Sequence, residues 1–171
     1  MKYQSVFDQA CKLTVSNDLK KALQLAENTL LDAKKAENLE GQALMLKIMA
    51  QIQNEQGELE KTLETLKKLE PLYVQLNKKP EQMHTLGLIG GLFLELGKAE
   101  CAEKCLIQVV ENYENSETTP LEKANAFRAY AMSLEQRNQN KMSLMYWTKA
   151  KEEYKIIGLV SRIEECDSRL F

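Results

Sequence analysis

The small and apolar positions of this chain repeat around four turn residues that lie 40, 40 and 41 residues apart. These residues are Asn17, Gly57, Gly97 and Asn138. A period between about 20 and 50 residues, filled with helical residues and interrupted by a tight turn, is typical of stacked helical hairpins. One hairpin is too small to bury its apolar face alone, so it packs against its neighbours. The sequence therefore predicts an all-α chain of tandem hairpins.

Four positions define the repeat, of which two precede each turn and two follow it. The residue seven places before the turn is small, and the residue eleven places before it is bulky. The fifth residue after the turn is again short, and the ninth lies one helical turn further along the same face. In turn order the four sets are Ala10, Ala50, Gly90 and Ala131; Val6, Leu46, Leu86 and Phe127; Ala22, Thr62, Ala102 and Ser143; and Ala26, Leu66, Leu106 and Trp147. Each unit is therefore predicted to consist of helix A, a turn and helix B.

The prolines and their neighbours predict where helices begin and end. Residues 119–122, Thr-Pro-Leu-Glu, have the pattern of a capping box with proline at the first helical position, where no N–H is needed. Pro80 lies in nearly the same register, so both prolines are expected to begin A helices. Pro71 falls late in the second B helix. It either kinks that helix or ends it near Glu70, with residues 72–76 as a separate turn, and we expect the kink.

Ten residues of repeats two to four carry a resemblance to a known family, and four residues of the first repeat are in register with them. They are Ala50, Gly57, Leu66, Gly90, Gly97, Ala102, Leu106, Ala131, Trp147 and Ala150, with Ala10, Leu19, Ala22 and Ala26. The pattern resembles the tetratricopeptide repeat (TPR) family in its longer variant of about 40 residues, as in kinesin light chains and bacterial peptide-sensing regulators. The resemblance implies a right-handed α-α superhelix of four hairpins and a C-terminal capping helix. The expected repeats are approximately 3–38, 40–78, 80–117 and 120–157, followed by a capping helix at 159–171, in one domain.

Composition and charge exclude several classes of function. The 171 residues include 23 basic and 25 acidic side chains, so the net charge of −2 does not favour nucleic acid or anionic lipid as a partner. The most hydrophobic stretch, residues 86–94, is too short to cross a bilayer, which needs about 20 residues. The first residues lack the pattern of a secretion signal. We therefore expect a cytoplasmic protein that neither binds nucleic acid nor inserts into a membrane.

Cysteines and the single histidine give the only candidates for site chemistry. Cys101 and Cys105 lie four residues apart on one face of the third B helix, whereas Cys11 and Cys166 lie near opposite ends of the chain. This spacing differs from the C-x-x-C of zinc and redox motifs, and His84 is on another helix. Small buried hydrophobes are therefore the favoured interpretation of the cysteines. One histidine and the lack of a phosphate-binding loop also favour a protein without catalytic activity, metal or cofactor.

The A helices of such repeats are expected to form a concave wall, and the register identifies its side chains. They lie 13, 10, 9, 6 or 3 places before each turn. The candidate partner-binding residues are Lys47, Gln51, Asn54, His84, Leu88, Asn125, Arg128 and Met132. The same register also places Ile48 and Leu94 in the wall. Amides bond a peptide backbone in either direction, and Lys47 and Arg128, expected to face each other across repeat three, are suited to hold a carboxylate.

Three glycines within the third A helix admit two interpretations. Gly90 is the small packing position of its repeat. Gly87 and Gly91 either tolerate close helices or allow the backbone of a ligand to approach, since each glycine costs a helix about 0.8–1 kcal/mol relative to alanine. The packing interpretation is favoured.

The resemblance also implies a comparison with TPR proteins that hold the C-terminal carboxylate of chaperones. Lys47 matches the lysine site, but Gln51 and Leu88 replace asparagines, and Asn125 with Ala129 replaces the lysine and arginine of another repeat. A chaperone-tail adaptor is therefore disfavoured. The favoured function is a non-catalytic module that binds a peptide or partner protein in the groove, with its oligomeric state open. The alternative is a regulatory sensor whose superhelix changes shape on binding a small peptide or effector.

Overall fold

The computed structural model describes residues 2–170, and within them every regular element is an α-helix. In chain order the helices are α1 (Lys2–Val15), α2 (Leu19–Lys35), α3 (Leu39–Glu55), α4 (Leu59–Gln75), α5 (Lys79–Glu95), α6 (Ala99–Glu114), α7 (Pro120–Gln136), α8 (Asn140–Ile156) and α9 (Val160–Leu170). The first eight form four consecutive hairpins, and α9 follows as the capping helix. This confirms the predicted all-α class of TPR-like hairpins.

The helices pack into two compact units, Met1–Thr85 and Leu86–Phe171. The first unit contains α1 to α4, and the second contains α6 to α9. Helix α5 contributes to both, because the boundary falls within it. The expectation of a single domain stays a prediction.

A second set of turns halves the repeat period. Among residues 2–170, seven have a positive φ: Asn17, Glu37, Gly57, Asn77, Gly97, Asn138 and Gly158. In every one of these turns this residue donates its N–H to the carbonyl three residues back, and the next residue donates to the carbonyl five residues back. These two bonds define the Schellman motif, which satisfies the last carbonyls of a helix. Apart from the connection before α7, the A-to-B and B-to-A connections described here therefore share one turn geometry.

Glu37 offers a test of this geometry, because its φ of 50° is unfavourable for a residue with a Cβ atom. The left-handed conformation costs such a residue about 1–2 kcal/mol, while the freedom of glycine in the unfolded chain offsets about 0.5–1 kcal/mol. Glu37→Gly should therefore raise the free energy of unfolding by about 0.5–1 kcal/mol in urea denaturation. Glu27→Gly, at an exposed position inside α2, should lower it by about 1 kcal/mol. Equal losses in the two variants would contradict the turn assignment.

The connection before α7 uses a different device, which the sequence predicts. Thr119 accepts a hydrogen bond from the Glu122 N–H through its hydroxyl oxygen at 3.3 Å, and the Glu122 carboxylate accepts the Thr119 N–H at 3.2 Å. Pro120 is the first residue of α7, and Pro80 lies in the first turn of α5. The capping box and both helix starts are confirmed.

Pro71 does not end its helix, so the alternative of a separate turn at residues 72–76 is wrong, while the kink stays a prediction. Helix α4 runs through Pro71 to Gln75. The ring of Pro71 is on the exposed side of the helix, and Tyr73 beyond it is buried. Tertiary packing of the last turn therefore outweighs the one hydrogen bond that proline removes.

The four sets of repeat positions form the core. All sixteen residues are buried except Val6, which is half-buried. Polar residues in the core are satisfied within their own hairpins, since Thr65 donates its hydroxyl to Gln53 Oε1 at 2.7 Å and Ser143 donates to the Ala131 carbonyl at 3.1 Å. The positions that repeat in the sequence are therefore the positions that pack in the core.

Candidate functional site

Helix α3 presents a narrow polar stripe in the first unit. Nine of its 17 residues are buried, because it packs against α1, α2 and α4. Lys47, Gln51 and Asn54 are exposed, and their spacing of four and three residues places them on one face. Gln51 donates its Nε2 hydrogen to Glu55 Oε1 at 3.2 Å. Three candidate residues thus share one solvent-facing surface, which we name the α3 stripe.

Lys47 extends this surface towards α1. Its Nζ lies 5.9 Å from the centroid of the Phe7 ring, which is a cation–π contact. Burial raises the pKa of the Cys11 thiol, with Asp8 acting in the same direction and the Lys47 charge acting against them. None of the ion pairs formed within residues 2–170 includes Lys47. Its ammonium group therefore remains available to an acidic ligand.

Helix α5 carries one candidate residue in each unit. His84, in the first unit, is exposed, and Leu88, in the second, is 47% exposed. A β-carbon built on Gly87 or Gly91 meets nothing within 4 Å, so close packing does not require glycine at either position. This overturns the favoured packing interpretation for these two glycines, whereas Gly90 fits it.

Helix α7 holds the other three candidate residues, in the second unit. Asn125 is exposed, and its Oδ1 accepts the Tyr154 hydroxyl at 2.8 Å. Burial raises the pKa of Tyr154 to about 12, so this hydroxyl is a donor at neutral pH. Met132 is half-buried. The third, Arg128, is engaged by another helix.

Arg128 forms a bidentate ion pair with Glu165 of α9. Its Nε lies 3.0 and 2.9 Å from the two carboxylate oxygens, and its Nη2 lies 2.5 Å from Oε1. The Arg128 guanidinium holds the pKa of Glu165 below its ordinary value; burial acts in the opposite direction, and Arg162 acts in the same direction as Arg128. Sequence reasoning missed this pair because the partners lie 37 residues apart. Another carboxylate can therefore bind Arg128 only in competition with Glu165.

Two predicted wall residues belong to the core instead. Ile48 is 0% exposed and Leu94 is 8% exposed. In α3, three neighbouring helices leave only one narrow face to solvent. The register therefore assigns more positions to the wall than are exposed to solvent.

The cysteines are less uniform than the sequence predicts. Cys166 is buried, Cys11 and Cys105 are half-buried, and Cys101 is exposed, so the expectation of buried thiols is wrong for Cys101. Its position, fourth after the Gly97 turn, lies beside the buried Ala102 but faces outward. Residues 2–170 contain no cluster of three or more His, Cys, Asp or Glu side chains placed to hold a metal ion.

Thiol reactivity should follow this order of exposure. With a disulfide reagent such as Ellman's reagent, Cys101 should react first and Cys166 last, because burial blocks access and raises the pKa of the Cys166 thiol. Cys101→Ser should remove the fastest phase and leave the slowest unchanged. Persistence of the fast phase in that variant would show that another cysteine is accessible.

Within 2–170, no helix combines the length and the apolar character that a bilayer span needs.

Solved structures resemble the chain over nearly its whole length. A kinesin light chain of nearly identical TPR-like repeats from Podosopora anserina superposes with a TM-score of 0.68 at 12% identity, covering 99% of this chain and 93% of that one. BtubC (BKLC) from P. vanneervenii gives a TM-score of 0.73 at 14% identity, over 98% and 77% of the two chains. PlcR from Bacillus thuringiensis, solved with the peptide PapR7 and DNA, gives 0.61 at 17% identity, over 99% and 60%. No family model matches the sequence, and no curated protein is similar to it.

These likenesses show the fold. The chain has a TPR-type helical repeat fold, as the resemblance in its sequence implies. At 12 to 17% identity, the ligands of the similar structures do not transfer to this chain.

Proposed function

We propose that this chain is a non-catalytic interaction module that binds an acidic peptide segment of a partner protein along its A helices. The observation that carries the proposal is the α3 stripe, where Lys47, Gln51 and Asn54 are exposed on a helix that is otherwise mostly buried. A helix that is buried on its other sides offers little surface that is not used for packing. The polar side chains on that surface are therefore available for a partner.

The chemistry of the stripe favours an extended segment with carboxylates. The amides of Gln51 and Asn54 donate and accept hydrogen bonds, which suits a peptide backbone. Lys47 supplies a positive charge and forms no ion pair within residues 2–170. Charge-assisted hydrogen bonds to carboxylates are roughly twice as strong as neutral ones. The TPR-type fold supports the proposal, since PlcR, a protein of similar fold, was solved with a peptide.

A photo-crosslinking residue at Gln51 tests the location of binding. The matched control carries the same residue at Gln24, which is exposed on α2, a B helix. Fluorescent peptides of about twelve residues, one set rich in Asp and Glu and one set with Asn and Gln instead, serve as probes. We expect the acidic set to crosslink at Gln51 and not at Gln24. Equal crosslinking of both sets, or crosslinking at Gln24 alone, contradicts the proposal.

A further inference from the structure

Helix α9 is joined to its unit by charged side chains and contributes little to the core. Three ion pairs join it to α7 and α8, namely Arg128–Glu165, Glu135–Arg169 and Lys151–Asp167. Within Val160–Leu170, Cys166 is the one buried residue, whereas α7 buries seven. Since ion pairs near the surface are weakened by salt and by competing charges, α9 is the part of this unit most easily detached.

The Arg128–Glu165 pair is the strongest of these attachments. Both side chains are 24% exposed, and the two parallel contacts give the fork geometry that arginine forms with carboxylates. Arg162 of α9 also contacts the Glu165 carboxylate, at 2.7 Å. When Glu165 leaves, Arg128 needs another anion, because a partly buried guanidinium without a partner is costly.

We propose that the Glu165 carboxylate binds Arg128 at the position that a carboxylate of an acidic partner segment takes when it binds. Such a segment displaces Glu165 and releases α9 from α7. This inference rests on the proposed function for the acidic class of partner. It adds an internal competitor and a conformational response to binding. Exchange of one carboxylate for another preserves the pairing of Arg128, so a ligand that binds the released state shifts the equilibrium towards it.

The chain carries two reporters of the position of α9. Cys166 is 0% exposed on α9 itself, so a thiol reagent reaches it only when the helix moves. Trp147, the single tryptophan, donates its Nε1 hydrogen to Glu135 at 2.7 Å, and the Arg169 guanidinium lies 5.8 Å from its ring centroid. Release of α9 removes the arginine from the ring, which changes the tryptophan emission.

The test measures the labelling rate of Cys166 in a parent chain with Cys11→Ser, Cys101→Ser and Cys105→Ser. Glu165→Gln should raise this rate at least tenfold, while Glu164→Gln, the exposed neighbour on the same helix, should stay within twofold of the parent. Asp167→Asn breaks the separate pair with Lys151 and should also raise the rate. Circular dichroism checks that each variant remains folded.

Hexaglutamate is the probe for displacement, with hexaglutamine as its uncharged control. Hexaglutamate should raise the Cys166 labelling rate of the parent to a plateau and shift the Trp147 emission, and Arg128→Gln should remove this response. Equal rates for Glu164→Gln and Glu165→Gln overturn the inference. The inference is also overturned if hexaglutamate binds, as measured by the fluorescence anisotropy of a labelled copy, but does not change the labelling rate of Cys166. In that case the proposed function still stands. Absence of hexaglutamate binding overturns the displacement, and crosslinking of acidic peptides at Gln51 decides the proposed function separately.

Discussion

Gly90→Leu should destabilise the second unit by about 3 kcal/mol or more, the largest loss of stability that we expect from one substitution in this chain. A β-carbon built on Gly90 lies 2.5 Å from Cγ and 2.7 Å from Cδ2 of Leu106 on α6. Leu106 is 1% exposed, so its side chain has little room to move away. A leucine at position 90 adds three further carbons to this contact, and the α5/α6 hairpin has to open.

Gly91→Leu is the matched control, because it makes the same change one residue further along α5. A β-carbon on Gly91 meets nothing within 4 Å, and leucine has a better helix propensity than glycine. The urea midpoint should therefore stay the same or rise for Gly91→Leu while it falls for Gly90→Leu. Gly90→Ala combined with Leu106→Ala should be less damaging than the sum of the two single changes, since the second removes the clash that the first creates. A loss of stability at Gly91 as large as at Gly90 would show that the hairpin packs in another register.

The hairpin fold was predictable because its determinants are local. Small residues seven places before each turn let two helices approach, and that pattern is visible without any structure. The B-to-A turns were harder to predict, since Glu37 occupies the positive-φ position that glycine or asparagine occupies in the other turns. The continuation of α4 beyond Pro71 was not predictable from propensity, because the packing of Tyr73 decides it.

The candidate site also combines features that the sequence predicts with features that only the packing of the helices determines. Exposure of Lys47, Gln51 and Asn54 follows from helical spacing, which is local information. Burial of Ile48 and the pairing of Arg128 depend on which helices lie alongside, and no spacing within one helix contains that information. The signal that did exist for Arg128 was the high content of both acidic and basic residues in α9, which is typical of a helix with charged contacts.

Reversal of the Lys47 charge should have the largest effect on binding. Lys47→Glu should weaken the binding of an acidic peptide by about 10- to 100-fold, because a charge-assisted contact is replaced by repulsion. The stability of the fold should change by less than about 1 kcal/mol, since Lys47 is exposed and its Nζ makes a cation–π contact with the half-buried Phe7. Fluorescence anisotropy gives the affinity, and urea denaturation of the same sample gives the stability.

Arg128→Glu should behave differently, because it places a second carboxylate against Glu165. We expect a loss of stability on the order of 2 kcal/mol in addition to any loss of binding. The sequence alone predicts the same role for both cations, so this contrast between Lys47 and Arg128 is a result of the structure. Equal stabilities of the two variants would contradict the bidentate pair.

Reversal of Lys34 and Lys35 is the control for charge alone. Both are exposed at the end of α2, a B helix, and the double change to glutamate alters the net charge twice as much as Lys47→Glu. If acidic peptides respond only to overall charge, the double reversal will weaken binding more than Lys47→Glu does. If they bind along the α3 stripe, the double reversal will have little effect at physiological salt, because exposed charges more than about 8 Å from the ligand are largely screened. Loss of binding in the Lys34/Lys35 variant with intact binding in Lys47→Glu would place the partner on the B helices and refute the α3 stripe as the site.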